Sequence, residues 1–201
     1  MPYDHKTWIK RMRLRSDMSA YVTHLTRETD DLKTVEVLLK MLNEKKIMGS
    51  TNSGFIQGSE KAVCFQDAPL SGIAQNLIHE QTNRKELGGK IRYRPLGLTF
   101  RKKYVFDNGG RPVIYETKDE AATKFPDELW RVVTFDLSDE NYIKDWTHER
   151  EWRMKGDFEF ELEHATVLLT NQVAYKNFVT MADEELLRQI AGIVVLDPVL
   201  T

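Results

Sequence analysis

The hydrophobic residues of this chain follow two different periods, and segments of the two kinds interleave without a regular strand–helix–strand rhythm. From Tyr21 to Thr26 the pattern has period two. Tyr21, Thr23 and Leu25 fall on one side and Val22, His24 and Thr26 on the other, as in a strand. Val35, Leu38, Leu39 and Leu42 recur at helical spacing, which predicts a helix over 32–46 with Asp30 and Asp31 as caps. Ala62-Val63-Cys64-Phe65 reads as a buried strand. Asp67 then reads as the N-cap, and Pro69 as part of the first turn, of a helix whose core face is Leu70, Ile73, Ala74, Leu77 and Ile78. Segments 96–100 and 111–115 read as the two arms of a hairpin, because Asp107-Asn108-Gly109-Gly110 offers residues that accept positive φ. Further strands are expected at 150–155, 165–169 and 193–196, with helices at 172–179 and 183–190 between the last two. Such irregular interleaving predicts an α+β fold rather than a doubly wound sheet. With 201 residues and no repeat or linker, 1–201 reads as one domain.

Charge and cysteine content narrow the setting. A net charge of −2 argues against a general polyanion binder. Lys6, Lys10, Arg11, Arg13 and Arg15 nonetheless concentrate in residues 1–16, a basic N-terminal arm or helix that either packs through its apolar side or contacts phosphate. A lone cysteine, Cys64, excludes an intrachain disulfide and points to a reducing compartment. No run approaches the roughly 20 apolar residues of a membrane span, so a cytoplasmic protein without a membrane partner is expected.

Glu149 and Glu151 are two apart and share a face if both lie on a strand. Paired carboxylates repel, so one holds a proton or both need a cation, and Arg153 on the same face can supply it. The plainer alternative is an exposed charged strand edge. Trp152 points the other way, toward a core. His24 is either a satisfied core histidine or a catalytic group. His5, His79 and His164 have no metal-ligand spacing with the cysteine, so no structural zinc is expected. Cys64, inside an apolar run, reads as a small buried hydrophobe rather than a nucleophile. No glycine-rich phosphate loop is present.

Four pieces in order carry a resemblance. They are Tyr21-Val22-Thr23-His24-Leu25-Thr26 before an amphipathic helix, Ala62-Val63-Cys64-Phe65-Gln66-Asp67-Ala68-Pro69-Leu70, the segment from Leu96 through Arg101-Lys102 to Tyr115, and Glu149-Arg150-Glu151-Trp152-Arg153. The chain resembles the AbiGi-type abortive-infection proteins and is similar, more distantly, to DarT-like ADP-ribosyltransferases. The resemblance implies an ADP-ribosyltransferase-like fold of two small packed sheets with flanking helices, and NAD as co-substrate in the cleft between them. It implies that His24 and Thr26, with Leu25 and Arg27 beside them, meet the nicotinamide ribose. It implies that Glu151 stabilises the oxocarbenium-like transition state and that Glu149 orients the acceptor nucleophile. Phe65, Tyr93 or Phe55 is then the stacking aromatic, and Arg27 or Arg101 with Lys102 meets the pyrophosphate. The acceptor is expected to be nucleic acid or protein, with the basic segment 83–94 as its landing place. AbiGi-type proteins are also the partner half of two-gene defence systems, which implies as an alternative a non-catalytic protein that binds NAD, ADP-ribose or a partner. A metal-dependent nuclease is the third reading, weakened because Arg153 stands where that chemistry wants a lysine able to release a proton.

Overall fold

The computed structural model describes residues 2–51, 56–86, 89 and 93–200. In chain order its helices are α1 (His5–Leu14), α2 (Thr34–Glu44), α3 (Leu70–Thr82), α4 (Lys102–Asp107), α5 (Lys118–Lys124), α6 (Gln172–Met181), α7 (Glu184–Gln189) and α8 (Asp197–Leu200). Its strands are β1 (Tyr21–Leu25), β2 (Lys46–Ile47), β3 (Ala62–Gln66), β4 (Gly97–Arg101), β5 (Arg111–Pro112), β6 (Ile114–Glu116), β7 (Val132–Thr134), β8 (Glu151–Lys155), β9 (Phe158–Glu159), β10 (Thr166–Leu169) and β11 (Gly192–Val195). Short 3-10 turns at Pro126–Arg131, Thr147–Glu149 and Leu162–His164 complete the described elements. The fold is mixed α+β.

Seven strands form one sheet in the order β11-β10-β4-β1-β3-β8-β5, and β2-β9 and β6-β7 are separate two-stranded ribbons. Where two small packed sheets are expected, one large sheet is found. It is nonetheless weakly joined at its middle. β1 pairs with β4 along its whole length, but with β3 only at Thr23↔Gln66. Four strands on one side and three on the other thus meet at a single register pair. The parallel pair β10/β11 needs a crossover, which α6 and α7 provide.

Each face of the sheet has its own core. Val22, Phe65, Leu98, Phe100, Trp152, Met154 and Val167 point to one face, where they meet Leu38 and Leu42 of α2, Phe158, Phe160 and Phe178. The four phenylalanines Phe65, Phe100, Phe158 and Phe160 pack edge-on or tilted at centroid distances of 5.0–6.4 Å. Leu25 points to the opposite face and packs under α3 with Ala68, Ile73 and Leu77. Ile56, Ala62 and Trp130 form a third, smaller cluster with Cys64 against it.

Several expectations change at the element ends. The N-cap of α2 is Lys33 rather than Asp30 or Asp31, and Glu36 reaches back to accept from the Lys33 amide at 2.7 Å. Asp67 does not cap α3. Its carboxylate is committed to Lys102 Nζ at 2.7 Å and to Trp152 Nε1 at 3.1 Å. The expected hairpin between 96–100 and 111–115 does not form. Lys102–Asp107 winds into α4, Gly109 with φ +101° ends it, and β5 pairs with β8 at the far edge of the sheet. Trp152 is in the core, as its parity predicts.

Candidate functional site

Strand register decides which polar residues meet. Thr166 pairs with Thr99, Thr99 with Thr23, Thr23 with Gln66, and Gln66 with Glu151. Paired residues in a ladder project to the same face. One row of polar side chains therefore crosses five strands, β10, β4, β1, β3 and β8, on the face that α3 covers. Thr23, Gln66, Thr99 and Glu151 are all buried. The Thr23 hydroxyl donates to Thr99 Oγ1 at 3.2 Å, and Thr99 donates to the Val22 carbonyl at 3.1 Å. Gln66 Oε1 is buried without a hydrogen-bond partner.

The row ends in an acid cluster. Glu149, Glu151 and Arg153 retain only 7%, 8% and 2% exposure, which corrects the exposed-edge alternative. Arg153 Nε donates to Glu151 Oε1 at 2.8 Å and Arg153 Nη2 to Oε2 at 3.2 Å, a two-pronged pair. The remaining prong, Nη1, donates to the carbonyls of Trp130 at 3.1 Å and Val132 at 3.0 Å. Burial works to lower the guanidinium's affinity for its proton, and its polar neighbours, led by the Glu151 carboxylate, together outweigh it, so the pKa lies above its ordinary value.

Glu149 reaches the cluster by a route the spacing does not show. It ends a 3-10 turn, and Arg150 follows in the left-handed region at φ +47° before β8 begins. Tyr93 Oη donates to Glu149 Oε1 at 2.7 Å, and the Glu151 amide donates to Tyr115 Oη at 3.3 Å. Burial, then the Glu149 carboxylate, pushes the Tyr93 phenol well above its usual range. Tyr115 is raised as well, first by burial. Burial followed by the Glu151 carboxylate pushes the Cys64 thiol well up, so this cysteine stays protonated and unreactive. Cys64, Tyr93 and Tyr115 all keep some accessible surface while these carboxylates act on them.

His24 is not part of this cluster. It shares its parity with Val22, and its ring sits edge-on to Phe65 at 6.0 Å, on the phenylalanine-rich face. Its Nδ1 lies 2.8 Å from the Cys64 carbonyl oxygen, where the β1–β3 ladder has stopped. Burial pushes the imidazole below its ordinary pKa, and the bond to the Cys64 carbonyl opposes that shift. A shared pocket for His24 and Glu151 is thus corrected by register. Gly97 of β4 holds β1 close at this point, since a Cβ there would lie 2.0 Å from the His24 carbonyl oxygen.

The other expected residues divide. Leu25 is in the core under α3, and Thr26 is buried with its amide bonded to the Leu96 carbonyl at 2.9 Å. Arg27 is exposed just beyond β1. Phe65 is 1% exposed inside the aromatic core, so it is unavailable for stacking on a ligand. Arg101 is exposed, with its guanidinium 5.7 Å from the Tyr21 ring centroid. Lys102 is held by Asp67. Phe55 and much of the basic segment 83–94 lie outside the described residues. Of the two described aromatic candidates, Phe65 and Tyr93, it is Tyr93 that is placed against the carboxylates.

Two open hollows lie elsewhere, near α2. One of about 270 Å³ is lined by residues that include Leu42, Leu162 and Leu186, and one of about 460 Å³ by residues that include Leu32, Leu39 and Met181. Neither borders Glu149 or Glu151. Among the described residues, no group of three or more acids, histidines or cysteines is placed to hold a metal ion, and no helix is long and apolar enough to cross a membrane. Comparison with protein-family models, curated proteins and solved structures finds no significant match.

Proposed function

We propose that this chain is an NAD-dependent ADP-ribosyltransferase-like protein of a phage-defence, toxin–antitoxin or counter-defence system, with nucleic acid or protein as acceptor and an ADP-ribosyltransferase-like fold. The observation that carries the reading is the convergence of Glu149 and Glu151, buried together at the start of β8, with Tyr93 on one carboxylate and Arg153 on the other. NAD, when bound, supplies a glycosidic bond whose cleavage develops positive charge on the ribose.

The residues present fit the nicotinamide end of such a ligand. Arg153 fixes the plane of the Glu151 carboxylate with two hydrogen bonds. A carboxylate has about four lone-pair sites, so a two-pronged arginine leaves room for a ribose hydroxyl. A fixed, ionised carboxylate stabilises developing positive charge more than it stabilises the ground state. Glu149, oriented by Tyr93, is the group to receive or position an acceptor nucleophile, and the half-buried Tyr93 ring offers a stacking surface. Gln66 adds a buried acceptor in the same row.

Incubation with labelled NAD and with DNA, RNA or cell lysate tests the reading. Transfer or NAD hydrolysis that disappears in Glu151→Gln is the expected result. A folded protein that neither binds nor consumes NAD overturns it.

One observation favours a second reading, binding without turnover. His24 faces the opposite side of the sheet, so the imidazole expected beside the ribose is missing from the acid cluster. An antitoxin-like protein would co-purify with the product of a neighbouring gene and keep its protective effect in Glu151→Ala.

A further inference from the structure

A buried hydrogen-bond acceptor without a donor is costly, and a folded chain rarely keeps one without a use. Gln66 Oε1 is such an atom. Its neighbours explain why the protein does not supply the donor. The Thr23 and Thr99 hydroxyls on one side are spent on each other and on the Val22 carbonyl. Glu151, its partner on β8, presents a carboxylate held by Arg153, which only accepts. Arg153 commits its Nε, Nη1 and Nη2 to Glu151 and to the Trp130 and Val132 carbonyls. The Thr23 and Thr99 hydroxyls, the Arg153 guanidinium and the Glu151 carboxylate are thus accounted for, and the glutamine oxygen is left over.

We propose that Gln66 is the residue that recognises the carboxamide of nicotinamide, its Oε1 accepting an amide N–H. This rests on the NAD reading and gives it a specificity determinant. Cross-strand partners such as Gln66 and Glu151 stand about 5 Å apart. That is the scale of a pyridine ring with its amide on one carbon and a ribose on its nitrogen. A ligand laid along the row would place the ribose at the carboxylate and the amide at the glutamine. Gln66 would then disfavour a dinucleotide of equal size that lacks the N–H.

The test compares NAD with its 3-acetylpyridine analogue, which keeps ring, charge and shape but offers no amide donor. Binding is read by calorimetry and by thermal shift on the full chain. The wild-type protein is expected to bind NAD about tenfold more tightly than the analogue, the range of one well-made hydrogen bond. Gln66→Met, which keeps the length and removes the amide oxygen, is expected to bring the ratio close to one. Because it deletes an unsatisfied acceptor, it is also expected to fold with an unchanged or raised melting temperature. Equal binding of both dinucleotides to the wild type overturns the assignment of Gln66 and leaves the NAD reading standing. Binding of neither overturns both. A marked loss of stability in Gln66→Met shows that the oxygen already has a structural role in the free protein, and overturns the assignment too.

Discussion

His24 and Glu151 lie on opposite faces of one sheet, with only β3 between their strands. The imidazole faces the phenylalanine cluster and bonds the Cys64 carbonyl, while the carboxylate faces the polar row and bonds Arg153. The side chains placed on the Glu151 face are therefore Arg153 and Gln66, with Tyr115 bonded to the Glu151 amide and Tyr93 to Glu149, and His24 is not among them. At the point where β1 and β3 part, His24 gives the Cys64 carbonyl a partner that the ladder no longer provides.

That role predicts a pH dependence. Burial holds the His24 pKa below its ordinary value of about 6.5. The unfolded chain therefore binds more protons than the folded one between the folded pKa and that value, and stability rises with pH through this window. The contribution is complete above about 6.5 and declines below it. Melting temperatures from pH 5 to 8 should show this rise in the wild type and a flatter profile in His24→Gln. Parallel profiles for the two proteins would remove His24 from the account.

Much of this arrangement is present in the sequence, but the part that assembles the site is not. Each strand's own parity is legible: His24 goes with Val22, and Glu151 goes with Arg153. Parity does not say which face of one strand coincides with which face of another, and only the pairs Thr23↔Gln66 and Gln66↔Glu151 settle that. The helices were readable because apolar residues such as Leu38, Leu39 and Leu42 outline a stripe whatever the tertiary context. The hairpin failed because Asn108-Gly109 ends a helix as readily as it turns a chain. Gln66 had a signal, a polar residue at the end of an apolar strand and at the same parity as Cys64. Tyr93 entered only as one of three stacking candidates, and its bond to Glu149, across 56 residues of chain, had no signal.

The Glu151–Arg153 pair should be costly to break from the arginine side. Removing Arg153 strands a buried carboxylate and deprives the Trp130 and Val132 carbonyls of their donor. Arg153→Met is expected to destabilise by about 3–5 kcal/mol. Glu151→Gln keeps an acceptor for the guanidinium and should cost less, about 1–2 kcal/mol. Urea denaturation of the three proteins gives the order. Equal and small losses would mean that the pair is solvated.

Cys64 should behave as an inert thiol despite its accessible surface. Burial and the Glu151 carboxylate both disfavour the thiolate, which is the form that reacts. Iodoacetamide at pH 8 is expected to modify the native protein at least about tenfold more slowly than the urea-unfolded chain. Glu151→Gln should speed the native reaction, because it removes a nearby negative charge and leaves Arg153 facing the sulfur. Rapid labelling of the native wild type would contradict this environment.

At the acid end of the pH range a further contribution is lost at Asp157, far from the acid cluster. This residue follows Gly156, whose φ of +78° turns the chain from β8 into β9. Lys61 Nζ lies 2.7 Å from Asp157 Oδ1, the Gly49 amide donates to the same oxygen at 2.9 Å, and Lys46 Nζ lies 3.2 Å from Oδ2. Led by the Lys61 contact, these partners lower the carboxyl pKa to about 2. A depressed carboxylate pKa stabilises the fold fully above the unfolded value of about 4, and the contribution is lost as pH falls toward 2. Asp157 tethers β3 through Lys61 and β2 through Lys46 and Gly49, so its protonation should loosen the β2–β9 ribbon before the seven-stranded sheet. Asp157→Asn is expected to cost about 1–2 kcal/mol at pH 7, with solvent screening of the two lysines setting the lower figure. The difference from wild type should shrink as pH approaches 2. Hydrogen exchange at Ile47 and Phe158 between about pH 5 and about pH 2 reads the local opening directly. Protection that stays constant there while the whole protein loses stability would place the acid sensitivity elsewhere.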